Sequence, residues 1–155
     1  MTQVLIRKAR VQDVKRIHAL LMDSSNAGLL IPRSFSDLYG RLRDFTVAHS
    51  QETGQIVGCC ALAIAWEDIA EIRSLSVAPE HHRQGVGQKL VDACLSEAVA
   101  LGIFKVFTLT YQTRFFTRLG FEEVSKDVLP QKVWADCIHC PKFPDCDEIA
   151  MILDL

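Results

Sequence analysis

The stretch SVAPEHHRQGVGQKLVDACLSEAVALG, residues 76–102, constrains the fold more than any other part of the chain. A strand-like run gives way to Pro79, a small basic cluster, Gly85 and Gly87, and then Val86, Leu90, Cys94, Ala98 and Leu101 at helical spacing. That period predicts a helix with one buried face, stopped by Gly102 just past its end. The first turn of any helix leaves amides without internal partners, and the helix dipole puts partial positive charge there. Two glycines at that mouth let a bulky anion approach the backbone, and Arg83 adds charge. The physical reading is a pyrophosphate cradle, with a plain strand-to-helix turn as the alternative. Two commoner cradles do not fit. A P-loop needs Gly-Lys-Ser/Thr where this chain has Gly87, Gln88 and Lys89, and a dinucleotide fingerprint needs a third glycine where Leu90 stands.

The rest of the chain predicts strands and helices that could surround such a cradle. VLIRKA (4–9) reads as a strand and VQDVKRIHALLMDS (11–24) as a helix with Val14, Ile17, Leu20 and Leu21 on one face. FSDLYGRLRDF (35–45) suggests a second helix interrupted near Gly40. TVAHS and IVGCCALAIAW flank the turn QETGQ as a hairpin, and IAEIRSLSVA (69–78) is a further strand. FKVFTLT, FEEVS and EIAMILDL read as strands, and QTRFFTRLG as a short helix ended by Gly120. At 155 residues this is most simply one domain, 1–155, with a cysteine-containing tail at 130–147. Apolar residues are 49% and the net charge is −2, so there is no bulk basic field to attract nucleic acid. The longest apolar run is shorter than the roughly 18 residues a membrane span requires. The N-terminus is charged where an export signal would be apolar, so a cytoplasmic location with reduced cysteines is expected.

With those elements in place, SLSVAPEHHRQGVGQKLVDACLSEA resembles the acyl-CoA-binding signature of the GNAT acetyltransferase superfamily. The resemblance implies an α/β (α+β) GNAT fold, a mixed central sheet of about six to seven strands flanked by about four helices. It also implies acetyl-CoA as co-substrate and no metal in catalysis. Co-substrate contacts are then expected from Leu75, Ser76 and Val77 on the strand and from His82, Arg83, Gln84, Gly85, Val86, Gly87 and Gln88 on the loop. The usual pattern has Gln or Arg where this chain has His82, and often glycine where it has Arg83. FFTRLGFEEV resembles the family's later helix, which often carries a proton-donating tyrosine four residues before the glycine. Here that position is Phe116, expected beside the co-substrate but unable to donate a proton.

A narrower resemblance runs through GLLIPRSFSDLYGRLRDFTVA, IAEIRSLSVAPE and FTLTYQTRFFTRLGFEEVSKDVLPQKVWADC. These segments are similar to the acetyltransferase portion of N-acetylglutamate synthase, chiefly its short stand-alone bacterial form. That family acetylates the α-amine of glutamate, the first committed step toward arginine. Glutamate carries two carboxylates and an ammonium group, so its site needs cations and a base. Strand alternation puts Glu71, Arg73, Leu75 and Val77 on one face, with Glu71 and Arg73 roughly 7 Å apart. The resemblance makes Glu71 the general base, an exposed ion pair being the alternative. Arg33 in IPRS corresponds to a carboxylate-binding arginine, suited by its guanidinium fork, and Lys132 in LPQKVW is a second carboxylate candidate. Arg73 faces either the substrate or Glu71. Tyr111, following the strand FTLT, is the nearest substitute acid, and Thr110 and Thr113 are candidate hydrogen-bonding partners for substrate or leaving group. Arg114 and Arg118 read as solvated.

The tail CIHCPKFPDCDE places Cys137 and Cys140 in Cys-x-x-Cys spacing, with Cys146 beyond. Zinc prefers a full set of four ligands, so a fourth would have to be His139, Asp147 or a distant residue. Reduced thiols in a bent loop are the simpler reading. Partners are expected to be L-glutamate and acetyl-CoA, with neither nucleic acid nor membrane, and with a homodimer allowed for. The rival readings are a GNAT enzyme for another amine (glutamine, a polyamine or a protein N-terminus) and a non-catalytic acyl-CoA-binding module.

Overall fold

The computed structural model describes residues 3–26, 33–129 and 147–155. Its core is a seven-stranded mixed sheet in the order β1-β2-β3-β4-β5-β7-β6. The strands are β1 (Val4–Lys8), β2 (Phe45–Ser50), β3 (Ile56–Trp66), β4 (Ile69–Val77), β5 (Lys105–Thr110), β6 (Glu122–Val124) and β7 (Ile149–Asp154). The helices are α1 (Val14–Asn26), α2 (Phe35–Gly40), α3 (Val86–Ala100) and α4 (Thr113–Arg118). The second helix is shorter than its sequence suggests, because the chain tightens into a single 3-10 turn at Leu42–Asp44.

Burial on both faces explains why β3 is a near-continuous apolar run rather than an alternating one. On one face α1 packs its Val14, Ile17, Leu20 and Leu21, all buried. Ser76 Oγ donates to the Leu20 carbonyl at 3.1 Å and so ties α1 to β4. On the other face a Cβ built on Gly58 would lie 3.0 Å from Leu90 Cδ1 of α3, which shows how closely helix and strand approach. Val106 and Leu153, register partners, put α4 on that same side, where Leu153 Cδ1 lies beneath Gly120. The helix α3 ends as expected. Gly102 has φ +84, its amide donates to the Val99 carbonyl and that of Ile103 donates to the Ala98 carbonyl, closing the last turn. Cys59, Cys60 and Cys94 are fully buried and pack as small hydrophobes; burial pushes the Cys59 thiol up to about 12, so it stays protonated.

At the start of α1, Asp13 is buried and accepts from Arg7 Nη1 at 2.7 Å, Arg7 Nη2 at 3.1 Å and the Arg10 amide at 2.8 Å. Burial raises its pKa, but these hydrogen bonds and the charges of Arg7 and Arg10 outweigh it, and the net direction is down. A carboxylate depressed in the folded state stabilises above its unfolded value of 3.8, and that contribution is lost as pH falls through the lower folded value. Asp13→Asn is therefore expected to cost about 2–4 kcal/mol near neutrality, because it leaves Arg7 partly buried and unpaired. Urea melts of the two proteins should draw together as pH falls below 3.8 and through the lower folded value; a gap that stays constant on acidification would contradict the account.

Candidate functional site

Four β4 residues, Arg73 to Ser76, stand opposite only three on β3, Ala61 to Cys59. The extra residue is a bulge, and Ser74 sits in it with φ +56, buried. Cys59 Sγ donates to the Ser74 carbonyl at 3.5 Å, which helps hold that conformation. The bulge corrects one expectation. Glu71, Arg73 and, past the bulge, Ser76 share the face covered by α1, whereas Val77 turns to the α3 face. Val77 Cγ2 accordingly lies 3.9 Å from a Cβ built on Gly87. Strict alternation would have kept Val77 with Glu71.

The same strand parts from its parallel neighbour. β4 and β5 pair only at Ala70 with Val106 and Glu71 with Phe107. Just beyond, Thr108 Oγ1 donates to the Ile72 carbonyl at 2.8 Å, and from there β5 continues on β7 alone. Past Arg73, the edge of β4 from Ser74 to Val77 pairs with no strand on that side among the described residues. It leads directly into the glycine-bearing loop.

In that loop, Pro79 opens a single 3-10 turn and His82 and Arg83 carry the chain around to α3. His82 Nε2 lies 2.6 Å from the Val77 carbonyl; a carbonyl only accepts, so Nε2 carries the proton and the ring pins the loop to the end of β4. Arg83 has φ +63 and Gly85 φ +79, so successive amides turn toward one side. Among the described residues, nothing accepts a hydrogen bond from the backbone amides of Arg83 to Gln88; the first internal bond of α3 is Lys89 to Gly85. A Cβ at Gly85 would meet nothing within 4 Å. The cradle is therefore open and its donors are uncommitted. Gly87 has a second reason to be glycine: its missing Cβ would lie 3.3 Å from Phe115 Cζ of α4. Val86 is buried in the core, Gln88 and Arg83 are exposed, and Gln84 Nε2 donates to the Glu80 carbonyl at 3.3 Å.

The residues expected around the acceptor divide into two groups. Glu71 and Arg73 form a largely buried pair, Nη1 to Oε1 3.6 Å, with side-chain exposures of only 15% and 13%. This is not a solvated surface pair. Arg33 lies at the start of α2 with Nη1 3.3 Å from Asp37 Oδ2, and Arg41 Nε reaches the other oxygen of Asp37 at 3.0 Å. Asp37 was missed in the sequence, although its spacing of four from each arginine is readable there. On the C-terminal side, Tyr111 donates its hydroxyl proton to Asp147 Oδ1 at 2.5 Å, a partner that no local sequence signal reveals. Thr110 Oγ1 is taken up by the Gln112 amide at 2.8 Å, Thr113 begins α4 half-buried, and Arg114 and Arg118 are exposed as expected. Phe116 corrects another expectation. It is 3% exposed, edge-on to Phe115 and Phe121 with ring centroids 5.0 and 5.2 Å away, so it belongs to the core rather than to the cradle surface. Lys132, Cys137, Cys140 and Cys146 lie outside the described residues.

Known proteins resemble this chain in sequence and in overall fold. Residues 41–123 match the acetyltransferase (GNAT) domain family. The chain belongs to the GNAT acetyltransferase family. An uncharacterized N-acetyltransferase of Chlorobaculum tepidum is 39% identical over 97% of this GNAT chain and 96% of its own length. The amino-acid acetyltransferase of Mycobacterium tuberculosis is 38% identical over 77% of the chain and 69% of its own. Among solved structures, N-acetylglutamate synthase from Neisseria gonorrhoeae, complexed with coenzyme A and N-acetyl-glutamate, superposes with a TM-score of 0.88 at 28% identity. It covers all of this chain, which spans 36% of that longer protein.

The left-handed backbone at Gly85 gives a direct check. An alanine there has open space but must adopt φ near +79°, so Gly85→Ala should lower stability by about 1–2 kcal/mol in a urea melt. An unchanged melt would mean that the turn is not held in this conformation.

Proposed function

We propose that this GNAT protein transfers acetyl from acetyl-CoA to the α-amine of L-glutamate. The observation that carries the reading is the open row of amides from Arg83 to Gln88, set at the end of the unpaired β4 edge. A diphosphate on those amides meets both hydrogen-bond donors and the positive end of α3. The β4 edge then offers its outward amides to the amide-bearing arm of the carrier. The thioester falls near the bulge, next to Glu71.

Glu71 is the general base. It lies beside its counter-ion Arg73, and it accepts a proton from the substrate ammonium directly or through one water. The freed amine attacks the thioester carbonyl, and an outward amide of the Leu75–Val77 stretch stabilises the charge that develops on oxygen. The departing thiolate takes its proton from Tyr111 or from solvent; Tyr111 reaches it by turning its hydroxyl away from Asp147. No cysteine serves as nucleophile, in keeping with the inert burial of Cys59, Cys60 and Cys94. Glutamate as acceptor is supported by the guanidiniums of Arg33 and Arg73 on the α1–α2 side of the sheet and by the named activities of the relatives. A polyamine would call for an acidic pocket instead.

Thiol release from acetyl-CoA, followed against a panel of amino acids, tests the reading. Glutamate is expected to lead the panel. Glu71→Gln should lose about 10²- to 10⁴-fold in kcat with the Kd for CoA retained. Arg33→Ala should chiefly raise the KM for glutamate. CoA binding without turnover on any amino acid would replace this reading with a non-catalytic carrier-binding module.

A further inference from the structure

Arg33, Asp37 and Arg41 lie one helical turn apart, so a single carboxylate faces two guanidiniums. Burial raises the pKa of Asp44, at the end of the 3-10 turn after α2, while the nearby charges of Arg73, Arg41 and Lys8 pull it back and Glu97 adds to the rise. Arg73 in turn pairs with Glu71. The ion pairs in direct contact are thus Arg33 and Arg41 with Asp37, and Arg73 with Glu71.

We propose that Asp37 is a specificity-determining residue, an internal competitor that occupies Arg33 until an anionic group of the acceptor replaces it. The proposal rests on Arg33 serving as the carboxylate-binding cation of the acetyl acceptor. Three observations carry it. Arg33 keeps 28% of its side-chain exposure, so its fork is reachable from solvent. Its contact with Asp37 is long, 3.3 Å, and runs through one nitrogen, whereas an incoming carboxylate can engage two. Finally, Asp37 has the shorter contact to Arg41, 3.0 Å, so releasing Arg33 does not strand a charge. A neutral or cationic group has nothing to offer Arg33 in exchange for Asp37, and the pair stays closed against it. Arg41 therefore sets how readily Asp37 yields.

The two flanking substitutions must then act in opposite directions. With acetyl-CoA saturating, Asp37→Asn should lower the KM for glutamate by about two- to fivefold, the range expected of a partly exposed ion pair. Arg41→Ala should raise it by a similar factor, because Asp37 then has only Arg33. Loss of folded protein would reduce the apparent kcat of either variant but would not lower KM. Glutamine, assayed alongside, identifies the carboxylate concerned: a fall for glutamate alone assigns Arg33 to the side-chain carboxylate, and an equal fall for both assigns it to the α-carboxylate, each supporting the proposal. If KM is unchanged or raised in Asp37→Asn while Arg33→Ala still raises it, the competitor role is overturned and the substrate site stands. If neither variant moves KM, Arg33 leaves the site and the proposal falls with it.

Discussion

Everything at the candidate site depends on an additional residue in β4. Had Arg73 to Val77 continued the ladder without a bulge, β5 could have stayed paired along the strand and its edge donors would have been consumed by backbone acceptors. Instead Ser74 takes a left-handed conformation that costs a non-glycine residue about 1–2 kcal/mol, and the surrounding core supplies it. The Cys59 thiol is part of that support. Full burial keeps it protonated, and a protonated thiol can donate to the Ser74 carbonyl where a thiolate could not.

From the bulge the consequences run in two directions. Toward the loop, the parted strands expose a polar edge that ends at Val77, where the His82 ring fixes the start of the turn and the amides beyond it stay uncommitted. Toward the acceptor side, the bulge brings Ser76 onto the α1 face with Glu71 and Arg73, where Ser24 and Ser76, 2.6 Å apart, fasten the end of α1 to the same strand. One distortion therefore opens the donor groove and places the candidate base beside it.

Much of this was legible in the sequence because it is local chemistry. The helical period from Val86 onward, the stop at Gly102 and the glycines at the mouth of α3 each act within a few residues, and the structure forms them where they were expected. The Arg33, Asp37 and Arg41 spacing was equally readable. The bulge was not, because a serine carries no local preference for positive φ; the conformation is imposed by packing against β3, and Val77 changes face as a result. Phe116 and the partnership of Tyr111 with Asp147 were hidden for a similar reason. The first depends on which side α4 presents to the core, and the second joins a residue just past β5 to one on the approach to β7.

The central claim is that the amides between Arg83 and Gln88 are the docking point for a carrier diphosphate, and amide NMR addresses it most directly. Titration of isotopically labelled protein with CoA should shift the resonances of those residues strongly and saturably, while pantetheine, which lacks the diphosphate, should leave them nearly in place. Saturable CoA binding that leaves these amides unmoved, or no binding at all, would contradict the account.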